Sequence, residues 1–136
     1  MKVVLDSNIL VSIIGKRSKL RAIWNAFLSG KFSLIISEDI VKEYEEILQE
    51  RSAQGAAEIV MEILRESPNV IFQHVYYNWQ VIEADADDNK FFDISVAVNA
   101  DFLVTNDHHF HAVKKLPFPH VPIISSTEFL DILNKI

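Results

Sequence analysis

The stretch Asp88-Asn89-Lys90-Phe91-Phe92-Asp93-Ile94-Ser95-Val96-Ala97-Val98-Asn99-Ala100-Asp101-Phe102-Leu103-Val104-Thr105-Asn106-Asp107 decides the fold. Asp87 or Asp88 opens a nearly all-apolar segment, carried by Phe91, Phe92, Ile94, Val96, Ala97 and Val98, which reads as a buried helix running to about Asn99. Phe102-Leu103-Val104 then reads as a short strand buried on both faces, with Asp107 three residues beyond its end. Helix, strand and acid follow one another, and the pattern repeats outward in both directions. Val3-Val4-Leu5 runs directly into Asp6. Phe32 to Ile36 runs into Ser37-Glu38-Asp39-Ile40, an N-cap with an acidic first turn, followed by the stripe Ile40, Val41, Tyr44, Ile47 and Leu48. Between them, Ser18 to Leu28 carries Leu20, Ile23, Trp24, Phe27 and Leu28 on one helix face and is closed by Gly30. Residues 56–66 form a further helix, stopped by Ser67-Pro68-Asn69. Val70 to Val75 and Val121 to Ile124 are the remaining strands, and Ser125-Ser126-Thr127-Glu128 caps a last helix. Strands alternating with helices over short connections predict a three-layer α/β/α fold around a parallel sheet of about five strands.

The length of 136 residues fits one domain spanning 1–136, and there is no repeat or linker. There is no cysteine, which excludes disulfides, thiolate zinc sites and thiol catalysis and suits a reducing cytoplasm. The opening Met1-Lys2-Val3-Val4-Leu5-Asp6 meets an acid too early for a secretory signal, and no apolar run approaches the ~20 residues of a membrane span. Three glycines leave no glycine-rich phosphate loop. A net charge of −6 argues against a wholly basic nucleic-acid surface, but an acidic metal site is itself a source of negative charge.

In open parallel sheets, sites lie beyond the carboxyl ends of the strands. Asp6 and Asp107 both fall there, and Asp88 begins the helix that enters the strand before Asp107. On a wheel of about 100° per residue, Glu43 and Glu45 flank the apolar stripe on opposite sides, so the wheel does not choose between them. Taken singly, each acid has a plain structural explanation: Asp6 and Asp107 as helix caps, Asp88 as part of an acidic loop, Glu43 as a solvent-facing residue. Brought together, such carboxylates would repel one another unless protonated or joined by a cation. Mg²⁺ and Mn²⁺ take oxygen ligands and activate water for attack on a phosphodiester.

Several blocks in order along the chain resemble the PIN domain, a family of metal-dependent ribonucleases. They are Val4-Leu5-Asp6-Ser7-Asn8-Ile9-Leu10-Val11-Ser12; Ser37 with Glu43-Tyr44 and Ile47-Leu48; Asp85-Ala86-Asp87-Asp88-Asn89-Lys90-Phe91-Phe92; and Asn99 to Asp107. The chain looks closest to the bacterial subgroup described as toxin components of toxin–antitoxin pairs. The resemblance implies Asp6, Glu43, Asp88 and Asp107 as catalytic and metal-holding acids, a five-stranded parallel sheet, Mg²⁺ or Mn²⁺ as cofactor, single-stranded RNA as substrate, and an antitoxin protein as partner. Asn8, Asp93 and Thr105 are expected to support the acids, Thr105 through its hydroxyl near Asp6 or Asp107. The departures are Asn106 where Gly is commoner, Ser7 for Thr, Ala86 for Pro and Asp93 for Glu. None of them removes an acid.

His108, His109 and His111 read as a solvated helix start; adjacent rings are expected to point apart, which disfavours zinc. Lys16-Arg17-Ser18-Lys19-Leu20-Arg21 is a basic rim suited to phosphate, while Tyr76, Tyr77 and Trp79 suit a partner or substrate surface. The helix at 56–66 carries an apolar face broad enough to predict a twofold homodimer. A phosphatase built on Asp6 would want Asp-x-Asp, and Asn8 stands in the second place; a phosphotransfer receiver would want an acceptor acid after the third strand, where none stands. The remaining alternative to a ribonuclease is a non-catalytic PIN-like module acting through a protein partner.

Overall fold

Val3, Val4 and Leu5 occupy the central strand of a five-stranded, all-parallel sheet in the computed structural model, which describes residues 1–82 and 86–136. Asp85 of the third block lies outside the described residues. The strands are β1 (Lys2–Leu5), β2 (Ser33–Ile36), β3 (Val70–Phe72), β4 (Phe102–Val104) and β5 (Ile123–Ile124), in the order β3-β2-β1-β4-β5. Seven α-helices flank the sheet among the described residues: α1 (Ser7–Ile14), α2 (Arg21–Leu28), α3 (Glu38–Arg51), α4 (Ala56–Glu66), α5 (Asn89–Ala97), α6 (His111–Lys114) and α7 (Ser126–Asn134). The expected α/β class and parallel sheet of five strands are therefore present. No described helix is long and apolar enough to cross a membrane.

Chain connection explains where a site must form. From β1 the chain steps outward through β2 to β3, then returns across the sheet to place β4 on the other side of β1. The strand order reverses between β1 and β4, which opens a crevice at their carboxyl ends. Leu5 pairs with Val104, so the residues that follow, Asp6 and Thr105, face each other across that crevice.

Element ends differ from expectation for local reasons. β3 stops at Phe72, not Val75, because β2 ends at Ile36: Gln73 N–H donates to the Ile36 carbonyl (2.9 Å), and no partner strand continues. α2 begins at Arg21 because Ser18 first closes a turn, its hydroxyl accepting Leu20 N–H (3.1 Å). α5 ends at Ala97, and Asn99 takes a left-handed φ of 51° to close it. α1 is a full helix behind its Asp6 cap, burying Ile9, Leu10 and Ile13 at helical spacing. α4 uses Val60, Met61 and Leu64 in the protein's own core and leaves Ile59 64% exposed, so most of the stripe expected to drive dimerisation packs internally.

Candidate metal centre

Asp6 ends β1 and begins α1, and both transitions use its side chain. Oδ1 accepts the backbone N–H of Ile9 (2.9 Å), satisfying one of the unpaired donors at the start of α1. Oδ2 accepts the hydroxyl of Thr105, the first residue beyond β4. Thr105 Oγ1 in turn accepts the backbone N–H of Asp107 (3.0 Å). One buried hydroxyl thus ties the two strand-end acids together.

Glu43 reaches the same crevice from α3. The helix is started by Ser37, whose hydroxyl accepts Ile40 N–H (3.2 Å), and anchored by Tyr44, whose phenol donates to the Leu5 carbonyl (2.5 Å). With Tyr44 buried against the end of β1, Glu43 falls beside it over α1. Its Oε2 accepts the Ser7 hydroxyl and its Oε1 meets the Lys90 ammonium (2.7 Å). Glu45, the residue the helical wheel could not set apart, lies instead on an apolar groove beside Met61, Leu64 and Phe72.

Asp88 closes the 3₁₀ turn Ala86–Asp88 ahead of α5. Asp107 caps the next 3₁₀ turn, His108–Phe110, its Oδ1 accepting His109 N–H (2.9 Å). That turn carries the His109 ring inward: its Nδ1 stands 3.3 Å from Asp107 Oδ1 and 3.4 Å from Asp88 Oδ2. Three of the acids are therefore linked by short contacts, Asp6 to Asp107 through Thr105 and Asp107 to Asp88 through His109, and Glu43 is held at the near end of α1 by Ser7.

Burial, more than charge, sets the protonation of the cluster's buried groups. Burial pushes the Asp6 carboxyl above its ordinary range; the Thr105 and Ile9 bonds oppose this, while the charges of Asp107 and Glu43 add to it. Burial also pushes the Tyr44 phenol well above its usual value, reinforced by Asp6 and Glu43. A cleft of about 240 Å³ opens beside Asp6 and Asp107, bordered by Asn8, Ile9, Ser12 and Asn106.

A comparison with family profiles matches residues 2–109 to the PIN domain. The chain belongs to the PIN-domain family. A comparison with curated proteins finds no match. PIN domains are typically metal-dependent nucleases, and the donors here suit such an ion: Asp6, Asp88 and Asp107 are tied to one another through Thr105 and His109, and the Asp6 carboxyl is raised chiefly by burial, with the charges of Asp107 and Glu43 adding to it.

The supporting residues fall into two groups. Thr105 touches both Asp6 and the Asp107 backbone, whereas Asn8 is exposed and accepts the Arg51 guanidinium (2.5 Å). Asp93 is buried elsewhere: its Oδ1 accepts Trp79 N–H (3.0 Å), burial raises its pKa against that bond, and it lines a recess with Ser37, His74 and Lys90. Its place about 140° round α5 from Asp88 turns it to the loop after β3. Asn106 needs no left-handed turn; its side-chain oxygen accepts Ser126 N–H (3.0 Å) and its amide donates to Ser126 Oγ (2.9 Å), clamping the site loop to α7. Among the histidines, His108 and His111 are exposed as expected, but the rings of His108 and His109 lie 4.5 Å apart instead of diverging. Tyr76 and Tyr77 are exposed, and Trp79 packs edge-on against Phe118 (5.8 Å).

Sequence reasoning passed over Lys90 and His109 as members of this cluster. A lysine two residues beyond a candidate ligand, at the start of an apolar helix, was the available signal for the first. For the second it was a histidine two residues beyond an acid that caps its own turn.

Proposed function

We propose that this PIN domain is an endoribonuclease that hydrolyses single-stranded RNA with Mg²⁺ or Mn²⁺, working as one unit over residues 1–136. What supports this reading is the chain of contacts that joins Asp6, Asp107 and Asp88 at the carboxyl ends of β1 and β4, with the Glu43 charge near enough to act on Asp6. These four would hold the ion. When bound, it neutralises phosphate charge and lowers the pKa of the attacking water. The chain's own part is placement. Thr105 fixes Asp6 relative to Asp107, Ser7 and Lys90 fix both oxygens of Glu43, and the cleft beside Asn8 and Asn106 admits the phosphate. Lys90, at the rim between the acids and the recess along the loop after β3, suits a phosphate oxygen of the incoming strand.

Hydrolysis of this kind leaves a 5′-phosphate and a 3′-hydroxyl. The test is cleavage of an unstructured RNA with Mn²⁺ and with EDTA, followed by end analysis. Cleavage that persists in EDTA with 2′,3′-cyclic phosphate ends would overturn the proposal. A non-catalytic module is favoured by one feature: the Lys90 ammonium supplies Glu43 with a positive partner from within the chain (2.7 Å). That reading requires no gain of thermal stability from Mn²⁺ and no cleavage.

The biological setting we propose is the cytoplasm, as the toxin of a toxin–antitoxin pair. A small overlapping neighbouring gene would support it. A twofold dimer is proposed through the outer edge formed by β3 and α4. There Ile59, Ile71 and Phe72 are exposed, and Glu45 and Arg65 offer opposite charges on a groove lined by Val41, Met61 and Leu64.

A further inference from the structure

The His109 ring is held between two of the four acids by a feature of the backbone. Asp107 caps the 3₁₀ turn by accepting His109 N–H (2.9 Å), which fixes the backbone of His109 directly beneath that carboxylate. The ring then has Nδ1 3.3 Å from Asp107 Oδ1 and 3.4 Å from Asp88 Oδ2. Both separations exceed the ordinary range of an N–H···O hydrogen bond, about 2.7–3.2 Å. Nδ1 is nonetheless shut off from solvent and makes no hydrogen bond among the described residues. A buried ring nitrogen aimed between two carboxylates of different elements, at more than bonding distance from each, has the spacing of neighbouring donors around a shared cation. Donors at right angles on a shell of about 2.1–2.3 Å would stand about 3.0–3.3 Å apart, so the Asp107 separation falls within that range and the Asp88 separation of 3.4 Å just beyond it. His108, one residue earlier, is different: its side chain is 80% exposed and its Nδ1 is 3.9 Å from Asp107.

We propose that His109 Nδ1 is a metal ligand of this centre, adding one nitrogen to the carboxylate oxygens and biasing the site toward Mn²⁺ or a later first-row ion over Mg²⁺. The inference rests on the four-acid metal site proposed above. Its chemistry follows from ligand type. Mg²⁺ is served by carboxylate, carbonyl and water, whereas imidazole suits transition ions, whose affinities rise along the series from manganese onward. An all-oxygen cluster would take Mg²⁺ and Mn²⁺ on similar terms; one imidazole breaks that balance.

The test is pulsed electron paramagnetic resonance of Mn²⁺ added to the full chain, which detects a directly bound ¹⁴N nucleus. The expected result is ¹⁴N modulation in the unaltered protein, retained in His108→Gln and lost in His109→Gln. Calorimetric titration should show Mn²⁺ affinity falling on the order of tenfold or more in His109→Gln, the scale on which even a ligand's supporting partner matters. Mg²⁺ affinity should change far less. Mn²⁺ bound without ¹⁴N modulation in the unaltered chain would overturn the role of His109 and leave the four-acid centre standing. Failure of the unaltered chain to bind Mn²⁺ at all would overturn both. Because the deciding spectrum is taken on the unaltered protein, it does not depend on how well either variant folds.

Discussion

Asp6 does two jobs that pull on its protonation in opposite directions. As a cap and a partner of Thr105 it is stabilised as an anion; as a buried neighbour of Asp107 and Glu43 it is destabilised, and burial prevails. A carboxyl whose pKa is raised by folding binds its proton more tightly in the folded chain than in the unfolded one. Its contribution to stability is therefore fully present at low pH and declines as pH rises from the unfolded value, about 3.9, through the raised folded value. In EDTA, Asp6→Asn should flatten this decline and raise the melting temperature near neutral pH by about 3–5 °C, the shift of ~1 kcal/mol in a domain of this size, while abolishing cleavage. Melting curves across pH for both proteins measure this; a lower melting temperature for the variant at pH 7 would contradict it. Asn can keep the Ile9 bond through its oxygen, and the Thr105 hydroxyl can turn to accept its amide, so the fold should survive. Thr105→Val should cost about 1–3 kcal/mol, because a buried carboxylate and the Asp107 N–H lose their shared partner. It should also weaken Mn²⁺ binding about 10- to 100-fold, as read by calorimetry. Asp6 and Asp107 were legible in the sequence because strand ends are legible. Glu43 could not be separated from Glu45 by periodicity; what separates them is Tyr44, whose phenol reaches across to Leu5. That contact spans 39 residues and has no local signature.

Among the elements, the sequence marks α2, α3, α5 and α7 to within a few residues and α4 to its end residues, whereas α1, with its Asp6 cap and its stripe of Ile9, Leu10 and Ile13, is not singled out as a helix. What failed was judged by partners, not by propensity. Val75 has the character of a strand residue but lies beyond the end of β2, so it has nothing to pair with. The freed chain then runs past the carboxyl edge of the sheet, and its aromatic residues become surface. Phe72, His74 and Tyr76 succeed one another with ring centroids 5.3 and 6.2 Å apart, next to the recess that Lys90 shares. If the strand of RNA leaves the acids by this route, its bases meet rings. Tyr76→Ala with Tyr77→Ala should then weaken single-stranded RNA binding by at least fivefold, since stacking on one ring contributes about 1–3 kcal/mol per base. It should leave the melting temperature nearly unchanged, because both side chains are exposed. Fluorescence anisotropy with a catalytically dead Asp6→Asn background measures the first, and an unaltered affinity would remove these tyrosines from the RNA path.

At the scale of the molecule, a surplus of six negative charges means that the protein as a whole repels the polymer it is proposed to cut. Local devices must therefore do the recruiting, and the divalent ion is the strongest of them. The proposed dimer would add another, by setting two sites on one particle. Light scattering at micromolar concentration should give twice the 15.6 kDa chain mass, and Phe72→Glu should return it to the monomer by placing charge on the exposed edge of β3. A monomer mass for the unaltered chain would end that proposal.

The clamp between Asn106 and Ser126 carries a consequence for inheritance. All four acids are encoded by codon 107, and the family match ends at residue 109. Yet Thr105 N–H is received by the Ile124 carbonyl (2.9 Å), and Asn106 is held from both ends by Ser126. A nonsense mutation between codons 110 and 123 would thus preserve every acid and still leave the loop bearing Thr105 and Asp107 without its support. Alleles recovered by selecting for silenced activity should accordingly include late stop codons that a catalogue of acidic positions alone would score as harmless.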